Sequence, residues 1–575
     1  MTPDPLSFFT IDHGTASTAA ALIAPVGGRF RLLAAAAAPR DISIEPILAD
    51  LVGRVRATEP AVLPAADDWP SWARLEVATH RPLRVVCAAG SERRADELIH
   101  TFGMAGWEVA ARFAGPRVDV LALTEACLDR SVTVVALGGG VPPSPPERAA
   151  LDLVAAAVAA AAQRRPDLRL ILLGGASGWS DLFPADRSVH GPVTGPDGRG
   201  GASGGASGAT GAARFVLELA TRWASSGTVP RLPDGRQAFA VGAASLATLL
   251  DRTVDAVDVG HSAGFRTVAA PDGSAEWSLR ADAALVPRRA MNDDEEVDRI
   301  LRWCALRAEH FDLRDRVRNL GLAPWRDAAG DGARIRLAAL RASLVRLSGA
   351  LSGHHPEALL QKPTTTRRGI ASAMARSRWA AQSGRAPSED STAGPDLVLA
   401  SGGAFAAVPA PIAALALLDA LRRPGARTLL WDHARVLAPM GTLSEEADRR
   451  RLMADLVDDA FVPLASTVIA GELSPGRPAT LRVTSPVATY ETPLAAGSLR
   501  TVDLPPGVTA HVEIEAGEPL MLGVRARHVA MDLTGGLAGL LVDGRETPLR
   551  LHERPDRRRA QLDGWERGLW AGLKP

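Results

Sequence analysis

One short pattern occurs twice in this sequence and limits the fold more than any other feature. Residues 11–18 read IDHGTAST, and residues 257–264 read VDVGHSAG. In both, an apolar run ends in an aspartate, a glycine follows two residues later, and a second apolar run begins after small or hydroxyl residues. Apolar runs separated by such a turn are typical of strand–turn–strand units. Their repetition predicts two related halves in one chain.

A turn of this kind suits a phosphate group. Glycine lets the backbone approach closely and direct N–H groups at oxygen atoms, while hydroxyl groups add further donors. An aspartate at the strand end can hold Mg²⁺ through its water ligands. A third turn, ASGGA at 400–404, follows an apolar strand and precedes a helix, so its bare backbone can admit a flat adenosine.

The three turns together predict an ATP site between the two halves. The predicted nucleotide-binding residues are Asp12, Gly14, Thr15, Ser17, Asp258, Gly260, Gly402 and Gly403. Asp12 and Asp258 are also the candidate Mg²⁺-binding and catalytic residues. An aspartate and a glycine at a strand end often only stabilise their own turn, and this alternative stays open, above all for Asp258. The set of three turns indicates the actin-like ATPase fold, which is a duplicated ribonuclease-H-like domain.

Short apolar strands alternate with helices along most of the chain, which favours an α/β domain with a mostly parallel sheet. From residue 480 onwards short strands dominate. We therefore expect a first actin-like half at 1–254, a second half at 255–474 and a small β-rich C-terminal module at 475–575. Composition rich in Gly and Ser predicts a flexible loop at 184–211 and a linker at 383–394.

Composition excludes several classes of protein. The 65 Lys and Arg residues balance the 65 Asp and Glu residues, so the basic surplus of most nucleic-acid-binding proteins is missing. Cys87, Cys127 and Cys304 are far apart, form no C-x-x-C pair and predict no disulfide framework. Neither a signal sequence nor an uninterrupted apolar run of membrane-spanning length is evident. We expect a cytoplasmic protein without nucleic-acid or membrane partners.

Other catalytic and nucleotide-binding motifs find no support. The segment GASGG at 201–205 matches G-x-S-x-G, but it lacks the preceding strand and following helix that a hydrolase nucleophile requires. There is no Walker A sequence and no G-x-G-x-x-G after a strand. The D-x-H-x-x-G pattern typical of cobalamin-binding proteins does not occur either.

Several segments carry a resemblance to a known family. The segment 396–443 contains LVLASGGAF and, further on, WD and LAPMG, while 165–178 contains RPD and LLGGASG and 83–86 reads LRVV. Near the end, DLTGGLAG at 532–539 is followed by LVDGR at 541–545. With these motifs the chain resembles the glutamate mutase L family (MutL). The resemblance implies an ATP-binding chaperone or reactivating partner of an adenosylcobalamin-dependent mutase or aminomutase, with Mg²⁺ beside the ATP and cobalamin on the partner.

The sequence departs from this family at the second phosphate turn. Relatives read DVGGATTD, whereas residues 258–265 read DVGHSAGF. His261 thus replaces a glycine, and Phe265 replaces an aspartate that would orient metal or water. We therefore expect at most weak ATP hydrolysis. The alternative is a catalytically silent actin-fold scaffold that assembles a mutase complex. A metabolite kinase of the same fold is more distant, because no acceptor pocket is evident.

Overall fold

The fold is mixed α/β, and its strands form four sheets within the described part of this computed structural model. The described residues are 7–63, 69–79, 83–191, 215–216, 219, 232–280, 283–285, 293–306, 310–318, 330–350, 397–523 and 525–571. The predicted linker at 383–394 and the GASGG segment lie outside these ranges. Of the predicted loop at 184–211, only the first eight residues are described, and they include the short strand Ser188–Gly191.

The first sheet contains the N-terminal strands β1 (Phe8–His13), β2 (Ser17–Val26), β3 (Arg29–Pro39) and β4 (Ala73–Ala78). Its order is β3-β2-β1-β4, with β4 parallel to β1 and the other pairs antiparallel. Gly27 and Gly28 connect β2 and β3 with φ values of 59° and 81°. Two positive φ angles suit a tight hairpin turn, which explains the glycine pair. Helix α1 (Ile44–Thr58) packs its apolar side on this sheet.

The large sheet has eight strands, β10 to β15 together with β18 and β21. Their bounds are β10 (Val254–Val259), β11 (Gly264–Ala269), β12 (Ala275–Arg280), β13 (Leu397–Ser401), β14 (Gly425–Asp432), β15 (Phe461–Ile469), β18 (Leu499–Val502) and β21 (Leu540–Asp543). The order is β12-β11-β10-β13-β14-β15-β21-β18. Its first four strands repeat the pairing of the first sheet, since β10, β11 and β12 are antiparallel neighbours and β13 is parallel to β10.

A separate sheet is entirely parallel. Its strands are β5 (Arg84–Ala89), β6 (Glu108–Ala114), β7 (Val134–Gly139), β8 (Arg169–Gly174) and β9 (Ser188–Gly191), in the order β6-β5-β7-β8-β9. Helices α2 (Glu92–Met104), α3 (Val120–Leu128) and α4 (Pro145–Arg164) cover it. A parallel sheet needs both faces covered, and its apolar strands provide this burial. The strands predicted for the first half therefore belong to two sheets rather than one.

The C-terminal sheet contains β16 (Ala479–Thr484), β17 (Thr489–Leu494), β19 (Thr509–Met521) and β20 (Arg525–Thr534), paired antiparallel in the order β17-β16-β19-β20. Buried and exposed residues alternate along β16, as expected for a sheet with one face on a core. However, β18 and β21 belong to the large sheet, and helix α13 (Pro555–Ala571) packs beside β18. Residues 475–575 thus contribute to two sheets.

The remaining helices lie around the large sheet. They are α5 (Gly235–Leu250), α6 (Asp293–Leu301), α7 (His310–Arg318), α8 (Gly330–Ala350), α9 (Gly403–Ala406), α10 (Ala410–Ala420), α11 (Leu437–Met440) and α12 (Glu446–Ala460). Two 3₁₀ segments, Trp69–Ser71 and Gly175–Leu182, are also present. None of the helices in the described ranges is long and apolar enough to cross a lipid bilayer.

Helix α5 connects the first sheet with the large sheet. One apolar core contains Ile23 and Val77 of the first sheet, Phe239 and Leu246 of α5, and Leu399 of the large sheet. The ends of β1 and β10 are therefore held at one place by shared burial of apolar surface.

Two glycines allow close packing of α5 against α11. A Cβ atom on Gly242 would lie 2.5 Å from the carbonyl oxygen of Leu437, and one on Gly441 would clash with the carbonyl oxygen of Ala238. Only residues without a side chain permit this approach.

Buried charges attach the C-terminal helix to the large sheet. The guanidinium of Arg545 donates hydrogen bonds to Asp543 at 2.9 and 2.7 Å and to Asp419 of α10 at 2.6 Å. It also lies 4.6 Å from the ring centre of Trp565 in α13. Arg341 of α8 donates to the other oxygen of Asp419 at 2.6 Å. These groups are almost fully buried, so each charge depends on its partners.

We expect Arg545→Ala to lower the free energy of unfolding by about 3–5 kcal/mol, because Asp543 and Asp419 each lose one of their two arginine partners while both carboxylates stay buried. Chemical denaturation measures this change. The matched control is Arg550→Ala on the same segment, whose side chain is 81% exposed beside Glu546. The control should leave stability nearly unchanged, since exposed ion pairs contribute little. Equal effects of the two substitutions would contradict a supporting role for the buried network.

Candidate functional site

The three turns singled out in the sequence meet in one cavity. All eight predicted nucleotide-binding residues line it, namely Asp12, Gly14, Thr15, Ser17, Asp258, Gly260, Gly402 and Gly403. The cavity has about 960 Å³ of empty space, including the solvent at its mouth. It lies where the first sheet and the large sheet approach each other. The structure thus brings the predicted residues together, and their binding and catalytic roles stay predictions.

Strand pairing explains this convergence. Asp12 lies at the end of β1, where the hairpin to β2 begins, and Asp258 lies at the corresponding place in β10. The two turns contact each other directly, because the hydroxyl of Ser262 donates a hydrogen bond to Thr15 Oγ1 at 2.9 Å. The third turn follows β13, which runs parallel to β10, so it opens at the same edge of the sheet.

Gly402 is required by its surroundings. Its φ of 95° is a conformation that side-chain-bearing residues rarely adopt. A Cβ atom there would clash with Asp258 Oδ1 and would lie 2.6 Å from the carbonyl oxygen of Val259. By contrast, a Cβ on the neighbouring Gly403 would meet only Ser17 Oγ, at 3.6 Å. The bare backbone at Gly402 therefore brings the third turn against the second.

A third carboxylate, Asp432 at the end of β14, lies behind the cavity lining and acts on Asp258 through its negative charge. It accepts hydrogen bonds from the backbone N–H groups of Val436 at 2.9 Å and Leu437 at 3.1 Å, and from the Ser401 hydroxyl at 3.2 Å. The sequence contains it in the WD motif, but no local pattern assigned it a role. Asp432 thus connects the segment that follows β14 (433–436, called the β14 loop) to Ser401 at the end of β13. The β14 loop carries Arg435 and Ser401 precedes Gly402, so Asp432 holds together two segments that line the cavity.

Burial raises the pKa of all three carboxyl groups. The pKa of Asp258 rises to about 7, first through burial and then through the negative charge of Asp12. Burial also raises the pKa of Asp432, to about 6, although the hydrogen bonds it accepts oppose the rise. For Asp12 burial again raises the pKa, while the positive charge of Arg435 opposes it. The acids of the site therefore favour nearby positive charge.

Arginines supply positive charge at the same cavity. Arg236, Arg336 and Arg435 all line it. Arg435 Nη1 lies 3.3 Å from Asp12 Oδ2, and Arg336 donates to the carbonyl oxygen of Ala407 at 2.8 Å. Burial lowers the pKa of Arg236, and the charges of Asp234 and Asp258 oppose this. The sequence did not indicate these residues, because they come from α5, α8 and the β14 loop, far from the three turns.

The residues present are compatible with a hydrated Mg²⁺. Within the described ranges, no group of three or more His, Cys, Asp or Glu side chains could hold a metal ion directly. Mg²⁺ commonly binds through one or two carboxylates, several waters and the phosphates of a nucleotide. Asp12 and Asp258 could provide such carboxylates, so their assignment to Mg²⁺ stays a prediction.

Phe265 takes part in an aromatic cluster. It is 3% exposed, and its ring centre lies 6.0 Å from that of Phe239 and 5.6 Å from that of Trp277. It borders the cavity, as does His261. The aromatic residue at this position therefore stabilises the core behind the second turn.

Comparisons with known proteins give limited information. No family model and no curated protein matches the chain. Among solved structures, the nucleotide-free structure of acetone carboxylase is 10% identical, with 84% of this chain and 80% of that chain covered and a TM-score of 0.26. A Ppx/GppA family member from Aquifex aeolicus is 10% identical, with 52% and 59% covered and a TM-score of 0.14. Similarity at this level supports no argument, so function must be inferred from the cavity itself.

The raised pKa of Asp258 predicts a pH-dependent stability. Because the folded state holds this proton more tightly than the unfolded chain does, the contribution of Asp258 to stability is fully present below about pH 4 and is lost as the pH rises through about 7. We expect Asp258→Asn to remove this loss and to be more stable than the wild type at about pH 8, by on the order of 2 kcal/mol.

Urea denaturation of both proteins at about pH 4 and at about pH 8 measures this difference in stability. Asp556→Asn is the matched control, because that side chain is 94% exposed and its removal should move neither curve. An Asp258→Asn variant whose stability shows the same pH dependence as the wild type would show that Asp258 is ordinarily ionised.

Proposed function

We propose that this protein is an ATP-binding accessory protein of actin-like fold that reactivates an adenosylcobalamin-dependent mutase or aminomutase. The observation that carries the nucleotide part is the convergence of three glycine-containing turns on one cavity between two sheets. Backbone N–H groups and hydroxyls at such turns are suited to phosphate oxygens.

Repeated strand pairing supports the duplicated fold. The order β3-β2-β1-β4 in the first sheet is matched by β12-β11-β10-β13 in the large sheet, and the parallel pair has the same place in both. In a duplicated fold of this kind, equivalent hairpin turns face each other across a cleft. Thr15 and Ser262, one from each turn, are in direct contact here.

The turns divide the nucleotide between them in this proposal. The hairpin turns at 14–16 and 260–263 contact the phosphates, and the backbone at Gly402 and Gly403 contacts the adenosine. Mg²⁺, when bound, would neutralise phosphate charge beside Asp12 and Asp258. Closure of the two sheets on ATP would differ from closure on ADP, because only ATP offers a third phosphate to both turns.

The accessory role rests on the resemblance to the glutamate mutase L family. The sequence has no cobalamin-binding pattern of its own, which is consistent with a partner that carries the cofactor. The motif LVLASGGAF lines the cavity through Gly402 and Gly403, and the WD motif is bonded to it through the hydrogen bond from Ser401 to Asp432. Nucleotide-driven opening and closing would then be transmitted to the mutase.

A catalytically silent scaffold is the second candidate. Phe265 and its aromatic neighbours occupy the side of the second turn where relatives have a carboxylate. The scaffold would bind nucleotide without hydrolysing it. Phosphate release measured on the same sample as nucleotide binding separates the two candidates.

The adjacent glycines of the third turn provide a matched test of nucleotide binding. We expect wild-type protein to bind ATP and ADP in isothermal titration. Gly402→Ala should weaken ATP binding by at least about tenfold, because a Cβ there clashes with Asp258 and Val259 and displaces the third turn from the second. Gly403→Ala should change affinity little, since a Cβ there has room. Absence of binding by the wild type, or equal losses in both variants, would contradict the site.

Reactivation tests the accessory role. We expect an adenosylcobalamin-dependent mutase of the same organism, inactivated by prolonged turnover, to regain activity when this protein, ATP and fresh adenosylcobalamin are added. Gly402→Ala is the control that should fail to restore activity. A reactivating function would be excluded if each such mutase recovered the same activity with fresh adenosylcobalamin alone as with adenosylcobalamin, ATP and this protein.

A further inference from the structure

Arg435 is held at the cavity by an unusual backbone conformation. It is one of three non-glycine residues in the described part of the chain with positive φ, at 55°. Its N–H donates to the carbonyl oxygen of Asp432 at 3.3 Å, while the Asp432 carboxylate accepts the next two backbone N–H groups. Left-handed backbone in a side-chain-bearing residue persists only where the surroundings impose it, and it is concentrated at functional sites.

The guanidinium of Arg435 is directed at the first phosphate turn. Its Nη1 lies 3.3 Å from Asp12 Oδ2 and would lie 3.4 Å from a Cβ on Gly14. The side chain is 9% exposed, so solvent hardly screens its charge. Its field also acts on Asp258, which belongs to the second turn. The positive charge of Arg435 therefore stabilises the ionised forms of both Asp12 and Asp258.

Asp12 is one of the two acids predicted to hold Mg²⁺, and Arg435 already supplies positive charge 3.3 Å from its Oδ2 atom. A guanidinium has five donors in a planar fork and can bind an acid and a phosphate at the same time. Unlike Mg²⁺, it is part of the chain and needs no free metal. Its ion pair with Asp12 is made through Nη1, which leaves further donors of the planar fork for a phosphate.

We infer that Arg435 is a direct ligand of the nucleotide phosphates and supplies the positive charge for binding, so that ATP binds in this cleft without Mg²⁺. The inference rests on the proposed nucleotide function and adds a residue and a metal dependence to it. In the protein without nucleotide, Asp12 is then the ion-pair partner of Arg435. When ATP binds, some N–H groups of the guanidinium donate hydrogen bonds to its phosphate oxygens instead.

Isothermal titration with ATP, in Mg²⁺ and in EDTA, tests the inference. Wild-type affinity should differ by less than about threefold between the two conditions, while Arg435→Gln should lose about 10- to 100-fold in EDTA, as expected for charge-assisted hydrogen bonds. Arg450→Gln is the control for loss of one arginine, because its side chain is 46% exposed on the neighbouring helix α12. It should bind like the wild type in both conditions.

The outcomes separate this inference from the proposed function. Wild-type binding that disappears in EDTA overturns the role of Arg435 and leaves ATP binding intact. No binding in either condition means that the proposed function itself has failed.

A second variant keeps the test decisive if Arg435→Gln does not fold. Asp12→Asn releases Arg435 from its acid, so affinity for ATP in EDTA should be unchanged or higher. A loss of more than about tenfold in EDTA would mean that Asp12 attracts the ligand through a cation, which overturns the inference.

Discussion

The cleft depends on the close packing of helix α5 against helix α11. Gly242 and Gly441 let the two backbones approach until no side chain would fit between them. Helix α5 is also buried between the first sheet and the large sheet. Its packing against α11 therefore determines the relative positions of the first sheet, the large sheet and α11. Since α11 begins directly after the β14 loop, this contact determines where Arg435 meets Asp12. A geometry defined by backbone contact varies less than one defined by flexible side chains.

Buried charge gives the cavity its chemical character. Asp12 and Asp258 line it and Asp432 lies behind them, all under burial that disfavours their ionised forms, and arginines from three different elements line the same cavity. The Arg545 network is different, because Asp543 and Asp419 there are bonded to arginines on every side. Closely paired charges of that kind support a fold, whereas the looser set at the cavity can accept an anionic ligand.

Sequence reasoning found those residues of the cavity that belong to a short, recognisable pattern of neighbouring residues. A glycine two residues after a strand-end aspartate is visible in the sequence, and so all eight predicted residues lie at the cavity. Asp432, Arg236 and Arg435 could not be found in this way, because distant strands and helices bring them there. The alternation of strands and helices predicted a mostly parallel sheet, but apolar runs do not specify which strands pair, and so the separate parallel sheet was missed.

The path of the C-terminal residues through the large sheet has a consequence for how the chain can be divided. Strand β21 pairs with β15, and β18 pairs with β21, so residues beyond 475 close one side of that sheet. Cutting the chain there would turn β15 from an interior strand into an open edge with unpaired N–H and C=O groups. Open edges recruit other chains, so a protein shortened at that point would tend to self-associate rather than retain a smaller nucleotide-binding unit.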